Sequence, residues 1–224
     1  MRAIQYMKVD YMLTKQQQRI LPFFAIVALL AGRAMGDVWT LFTCSYLIFI
    51  GPIFSTAPFG SCQRKNTGFL LMLPATVTER VVGRFLYGLS FIAMTALCCA
   101  ACMGVFSLFG YEITAVTVGL LLCNLALGLF IVALEYLISY IFGEGKSNWQ
   151  YLSNLVRVVP GMGMFFLFMF IMGRMDEETY VADRMAFLSQ GVISVGVLGL
   201  ALSFLFMAVA IAVSVKVIEK RDYA

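Results

Sequence analysis

Glu135 is the one ionisable residue that lies well inside an apolar run of this 224-residue chain. A charge in the hydrocarbon of a bilayer is expensive, so such a side chain faces protein or a water-filled path. Its chemistry would be proton binding or a polar contact on a transport route. The plainer reading is a structural bond to a neighbouring Tyr, Asn or Arg. A second grouping, Thr76-Val77-Thr78-Glu79, has the spacing of a capping box. In that motif a threonine hydroxyl accepts from the backbone three residues on, and the glutamate reaches back to the threonine N–H. A helix is therefore expected to start at Thr76. Arg80 and Arg84 follow four residues apart and share one helix face. There they would meet acidic groups of a partner or lipid phosphates.

Other chemistries lack their residues. Histidine is absent, which removes the commonest metal ligand and the commonest acid–base group near neutral pH. Of the six cysteines, all but Cys62 sit in apolar runs, where the thiol behaves as a small hydrophobe, and none has zinc-type spacing. Asp10, Asp37, Asp176, Asp183 and Asp222 all fall outside the apolar runs, which argues against paired-aspartate hydrolysis. The phosphate-cradling pattern GxxxxGK[ST] is missing. Gly143-Glu144-Gly145-Lys146-Ser147 carries its last letters without the first half or a preceding strand, and reads as a flexible turn. The chain is thus not expected to be an enzyme, to hold a cofactor or metal, or to bind nucleic acid.

The elements that must position these residues are dictated by composition. Hydrophobic residues make up 62% and charged residues 12% of the chain, and mean hydropathy is +0.91. A water-soluble domain carries a much larger charged share. The apolar runs are roughly 20 residues or longer, the length of a helical span rather than of a barrel strand. The expectation is an all-α polytopic membrane protein forming a single domain over 1–224. Six transmembrane helices are placed at 20–35, 38–59, 85–109, 114–142, 155–173 and 186–215. Residues 1–19 repeat Ile4, Met7 and Tyr11 at helical spacing, and read as an amphipathic helix at the membrane surface. Residues 60–84 form a polar, interfacial stretch between the second and third spans.

Charge sets the orientation. With the N-terminus inside and six spans, only Arg33, Arg174 and Arg184 of the 16 basic residues fall on the outer side. Short loops retain Lys and Arg in the cytoplasm, so both termini are expected there. Small residues permit close helix contact, and two such strips stand out: Ala96, Ala100 and Gly104 in the third span, and Gly196, Gly199 and Ser203 in the sixth. Either could pack within the chain or between subunits.

The segment Phe69-Leu70-Leu71-Met72-Leu73-Pro74-Ala75-Thr76-Val77-Thr78-Glu79-Arg80-Val81-Val82-Gly83-Arg84 resembles the stretch between spans two and three in compact permease subunits of bacterial ABC-2-type exporters. Leu73, Pro74, Glu79, Arg80 and Arg84 carry the likeness, although Lys is more usual than Arg at the last place. The early Asp10, the amphipathic start and the six-span layout extend it over nearly the whole chain. The resemblance implies a short cytoplasmic coupling helix at 76–84, with Pro74, Thr76, Glu79, Arg80 and Arg84 as the residues that meet a separate cytoplasmic ABC ATPase. Two ATPase copies, carrying the ATP and magnesium, would drive two permease copies, a homodimer, between inward- and outward-open forms in a bacterial cytoplasmic membrane. The substrate would be amphipathic or hydrophobic, with a peptide favoured, and membrane lipid would surround the assembly. The competing readings are an ion-coupled secondary transporter, for which Glu135, Asn124 and Pro160 are the modest candidates, and a membrane scaffold or lipid-binding subunit.

Overall fold

The protein is described by a computed structural model covering residues 2–36, 40, 42–44, 46, 47, 55, 75–142, 152, 155, 156, 158–160, 162, 163 and 181–222. Among these residues the elements are all helical: α1 (Arg2–Leu13), α2 (Lys15–Met35), α3 (Val77–Leu108), α4 (Ala115–Phe142) and α5 (Val181–Asp222). Most of the spans expected at 38–59 and 155–173 lies outside the described residues.

Three helices are long and apolar enough to cross a membrane, over Val77–Leu108, Thr117–Phe142 and Gly191–Lys220, and α2 adds a shorter apolar helical stretch, Ala25–Ala34. The protein is therefore an all-α, multi-pass membrane protein. The helices overshoot the hydrocarbon. At 1.5 Å per residue the 42 residues of α5 extend about 63 Å, against a bilayer core of about 30 Å. Its basic last turns, including Lys216 and Lys220, stay helical beyond the apolar stretch.

α4 runs antiparallel to α3 and parallel to α5, and packs most heavily on α5. A core of Val81, Phe85, Val132, Tyr136, Met207 and Ala210 joins the first half of α3 to the second halves of α4 and α5, and Val77 and Ile218 pack against it. The start of α3 and the end of α5 thus share one end of the bundle, where Arg80, Arg84, Lys216 and Lys220 make it basic. At the other end a second core gathers Leu29 of α2, Cys44, Leu47 and the Cys99, Met103 and Phe106 side of α3. There Arg33 lies 5.9 Å from the centre of the Tyr111 ring, a cation–π contact that ties the end of α2 to the α3–α4 turn. α2 stops at Gly36, whose φ of 120° is one that a residue with a Cβ rarely adopts.

Two element boundaries differ from expectation. The N-terminal helix does not run to residue 19: it ends at Leu13, Thr14 interrupts it, and Lys15 to Arg19 already belong to α2. The cause is visible at Thr14. Its hydroxyl bonds back to the Asp10 carbonyl at 2.8 Å and meets the Tyr87 hydroxyl at 2.6 Å, fixing the chain where α1 leaves α3. Secondly, residues 77–84 and the third span form one unbroken helix, α3. Nothing between Thr76 and Phe85 breaks a helix, and the box at Thr76 starts one that runs straight into the apolar sequence.

Candidate functional site

The site is built from the first four turns of α3 and the helix that lies on them. Thr76 has the extended conformation of an N-cap (φ −69°, ψ 157°), and both bonds of the capping box form. The Glu79 N–H donates to Thr76 Oγ1 at 3.3 Å, and the Thr76 N–H donates to Glu79 Oε2 at 3.0 Å. The glutamate also sits where the helix dipole favours negative charge. The capped end is therefore rigidly placed. Thr76 and Thr78 are exposed on it, and Glu79 and Arg80 are partly exposed. Pro74 lies outside the described residues.

α1 lies on α3, and the contacts advance along both helices in the same direction. Near Ala3 and Tyr6, α1 crosses Gly83 so closely that a Cβ there would stand 2.7 Å from the Ala3 carbonyl oxygen and 2.7 Å from the Tyr6 Cβ. Farther along, Tyr11 packs edge-on to Tyr87 and stacks on Phe91, with ring centres 5.0 and 6.1 Å apart. Its hydroxyl also bonds the Ser90 hydroxyl. The Ser90 hydroxyl donates to the Tyr87 carbonyl and the Thr14 hydroxyl to the Asp10 carbonyl, so Tyr11 and Tyr87 supply the protons in their contacts with Ser90 and Thr14. The inward face of α1 is thus Ala3, Tyr6 and Asp10, flanked by Met7 and Tyr11, while Ile4 is 50% exposed. The apolar spacing of Ile4, Met7 and Tyr11 locates this face about one residue off, because a buried aspartate cannot be anticipated from hydropathy.

Asp10 is the charge at the centre of this contact. Its side chain is 1% exposed, and one carboxylate oxygen lies 3.8 Å from Arg84 Nε. That is ion-pair distance without hydrogen-bond geometry, and Asp10 Oδ2 has no hydrogen-bond partner. Burial pushes the carboxyl up to about 6, and the nearby guanidinium only partly opposes the rise. Arg84, expected to face a partner or lipid, is instead turned against Asp10 of its own chain. Arg80, one turn earlier, also holds a buried Nε with no hydrogen-bond partner. The sequence signal for Asp10 is its spacing from Tyr6 and Thr14 on one helix face; what the sequence lacks is any indication that α1 lies on Arg84.

Behind α3 the contact continues into α4. Gly88 leaves room for the Tyr136 hydroxyl, which a Cβ at 88 would meet at 2.8 Å, and that hydroxyl donates to the Ser55 carbonyl at 2.7 Å. Tyr136 also packs edge-on to Phe85 at 5.2 Å. Glu135 precedes it and is fully buried in α4, with Ser139 Oγ donating to its carbonyl at 2.7 Å. The small-residue strips part company. Gly196 and Gly199 pack on Leu122 and Ala126 of α4, and Ser203 Oγ donates to the Ala126 carbonyl at 2.8 Å. Ala100 and Gly104 are exposed, and a Cβ at Gly104 would meet nothing within 4 Å among the described residues. Among those residues, too, no three His, Cys, Asp or Glu side chains form a group able to hold a metal.

Residues 7–219 match the family described as ABC-2 family transporter protein. The chain belongs to the ABC-2 transporter family. No curated protein and no solved structure matches it. The matched region takes in α2 to α4, most of α1 and most of α5, and so includes Asp10, Thr76, Glu79, Arg80 and Arg84 but not Ala3 and Tyr6. Membership makes the chain a permease-type membrane subunit, and the family implies an ATPase subunit as its partner.

Proposed function

We propose that this ABC-2 permease is the membrane subunit of an exporter driven by a separate ATPase. It moves an amphipathic or hydrophobic substrate, a peptide in the favoured case, outward by alternating access. Two copies form the permease, with the translocation path at their shared interface, and two ATPase subunits bind ATP and magnesium beneath them. The N- and C-termini and the start of α3 face the cytoplasm of a bacterial cell, six spans complete each copy, and residues 76–84 act as the coupling segment.

The family match over residues 7–219 carries this reading, and the capped, basic start of α3 gives the partner a place to push. A rigid N-cap followed by Arg80 and Arg84 transmits displacement into α3 without fraying. Because no break separates residues 77–84 from the rest of α3, motion of this end tilts the whole helix. Purification of the chain from its native membrane in mild detergent tests the proposal. A stoichiometric ATPase in the complex supports it. Ion-driven flux from the purified chain alone, with no ATPase, would replace it with secondary transport.

A further inference from the structure

Three buried polar atoms toward the basic end have no hydrogen-bond partner, Asp10 Oδ2, Arg80 Nε and Ser214 Oγ, and the first two belong to groups of opposite charge. We propose that Asp10 is a positioning residue for coupling, exchanging its partner from Arg84 to Arg80 when the start of α3 is displaced. The inference rests on the exporter reading above.

Asp10 is poorly explained as a stabilising residue. Its contact with Arg84 is 3.8 Å long and does not satisfy the carboxylate, and a half-satisfied buried pair is commonly matched or bettered by apolar side chains of similar size. Buried polar atoms are seldom left unpaired in a folded protein, so Asp10 Oδ2 and Arg80 Nε call for an explanation. Arg80 and Arg84 share a face of α3, one turn apart, so a shift of about 5.4 Å between α1 and α3 carries Asp10 from one guanidinium to the other. Packed helices change register in steps of this size. Between the two arginines sits Gly83, where the α1 backbone touches α3 directly. This close contact is one of the restraints that a shift must release. The present register is held by hydroxyl bonds, Thr14 to Tyr87 and Tyr11 to Ser90, which water or neighbouring hydroxyls can replace. The ion pair thus sets which of two positions α1 takes, and the Tyr11 contacts with Tyr87 and Phe91 belong to the present one.

The test is hydrogen exchange of the α1 amides, residues 2–13, in the purified permease–ATPase complex, nucleotide-free and trapped with ATP and vanadate. In the natural protein α1 exchange is expected to differ between the two states, because the slide changes which α1 amides are covered by α3. Arg80→Gln keeps the nucleotide-free protection and loses the difference, while Arg80→Lys retains it. Asp10→Asn also loses the difference while its melting temperature stays within a few degrees of the natural protein's. A full nucleotide response in Arg80→Gln overturns the proposal. So does a loss of protection in Asp10→Asn that merely follows global unfolding. If an ATPase binds and traps nucleotide but Arg80→Gln responds normally, the exchange fails and the exporter reading stands. If no ATPase accompanies the chain, both fail.

Discussion

The α4–α5 contact and the α1–α3 contact solve the same problem, holding two helices together, in opposite ways. Along α4 and α5 the seam is made of absent side chains. Gly119, Gly196 and Gly199 let the backbones approach until a Cβ at 119 would stand 2.6 Å from Val192 and one at 196 would stand 2.7 Å from Leu122. Its main polar bond, from Ser203 to the Ala126 carbonyl, is fully made. Along α1 and α3 one close approach, at Gly83, is joined by tyrosines, hydroxyls and an ion pair, and the buried Asp10 Oδ2 is left unpaired. Dispersion between closely packed backbones has one optimum position. Polar contacts with spare donors and acceptors have more than one. The difference separates a fixed part of the permease from a part built to take alternative positions, and the second lies at the end where the ATPase is proposed to act.

The largest effect that would sharpen this contrast comes from removing the cation beside Asp10. Arg84→Met leaves a buried carboxylate without compensation and is expected to cost about 3–5 kcal/mol at pH 8, read as a lower melting temperature in detergent. Asp10→Asn placed on the same chain should recover most of the loss. If Arg84→Met is as stable as the natural protein, Asp10 is not buried against it. The natural protein should itself respond to pH. Its Asp10 titrates near 6 rather than at the ordinary 3.8, so the folded state binds this proton more tightly than the unfolded chain. Stability contributed here is full below about pH 4, falls as pH rises through about 6, and is level above that. Asp10→Asn should remove this slope, and an unchanged slope would assign it to another group.

Overpacking the fixed seam comes next. Gly196→Leu drives a side chain into Leu122 and the Cys123 backbone and should cost about 1–3 kcal/mol, whereas Gly104→Leu, at a position where an added Cβ meets nothing within 4 Å among the described residues, should leave the isolated chain's melting temperature unchanged. Equal losses from the two would erase the distinction between the packed and open small-residue strips. Thr76→Ala removes the cap of α3 and should cost about 1 kcal/mol, seen as faster amide exchange confined to residues 77–80. Smallest of all, Ser203→Ala should cost about 0.6 kcal/mol, the average for a hydrogen bond between membrane helices, with no change in ATPase coupling.

Much of the fixed part is legible in the sequence, because its signals are local. Apolar runs of span length locate α3, α4 and α5, Thr76 and Glu79 fix the helix start to the residue, and Gly196, Gly199 and Ser203 mark a close-packing strip. The same kind of signal is ambiguous at Ala96, Ala100 and Gly104: small residues show that a close neighbour is permitted, and the described part of the chain supplies none at Ala100 or Gly104. The α1–α3 contact is not legible. Asp10 and Arg84 are far apart in sequence and meet only because one helix lies along another in a particular register, and no periodicity encodes that register. Hydropathy also works against finding it, since it assigns an aspartate to the outer face of an amphipathic helix. Arg84 stands out for its place after the capping box, and Asp10 for its place before the first span and its spacing from Tyr6 and Thr14, but neither position points to the other.

The capped start of α3 is proposed to receive the ATPase, and a photo-crosslinking amino acid at the exposed Thr78 tests this in intact membranes. An adduct with an ATPase subunit is expected from position 78, and none from the exposed Leu97 in the middle of α3. An adduct from position 78 to lipid alone, or ATPase capture from Leu97, would contradict it.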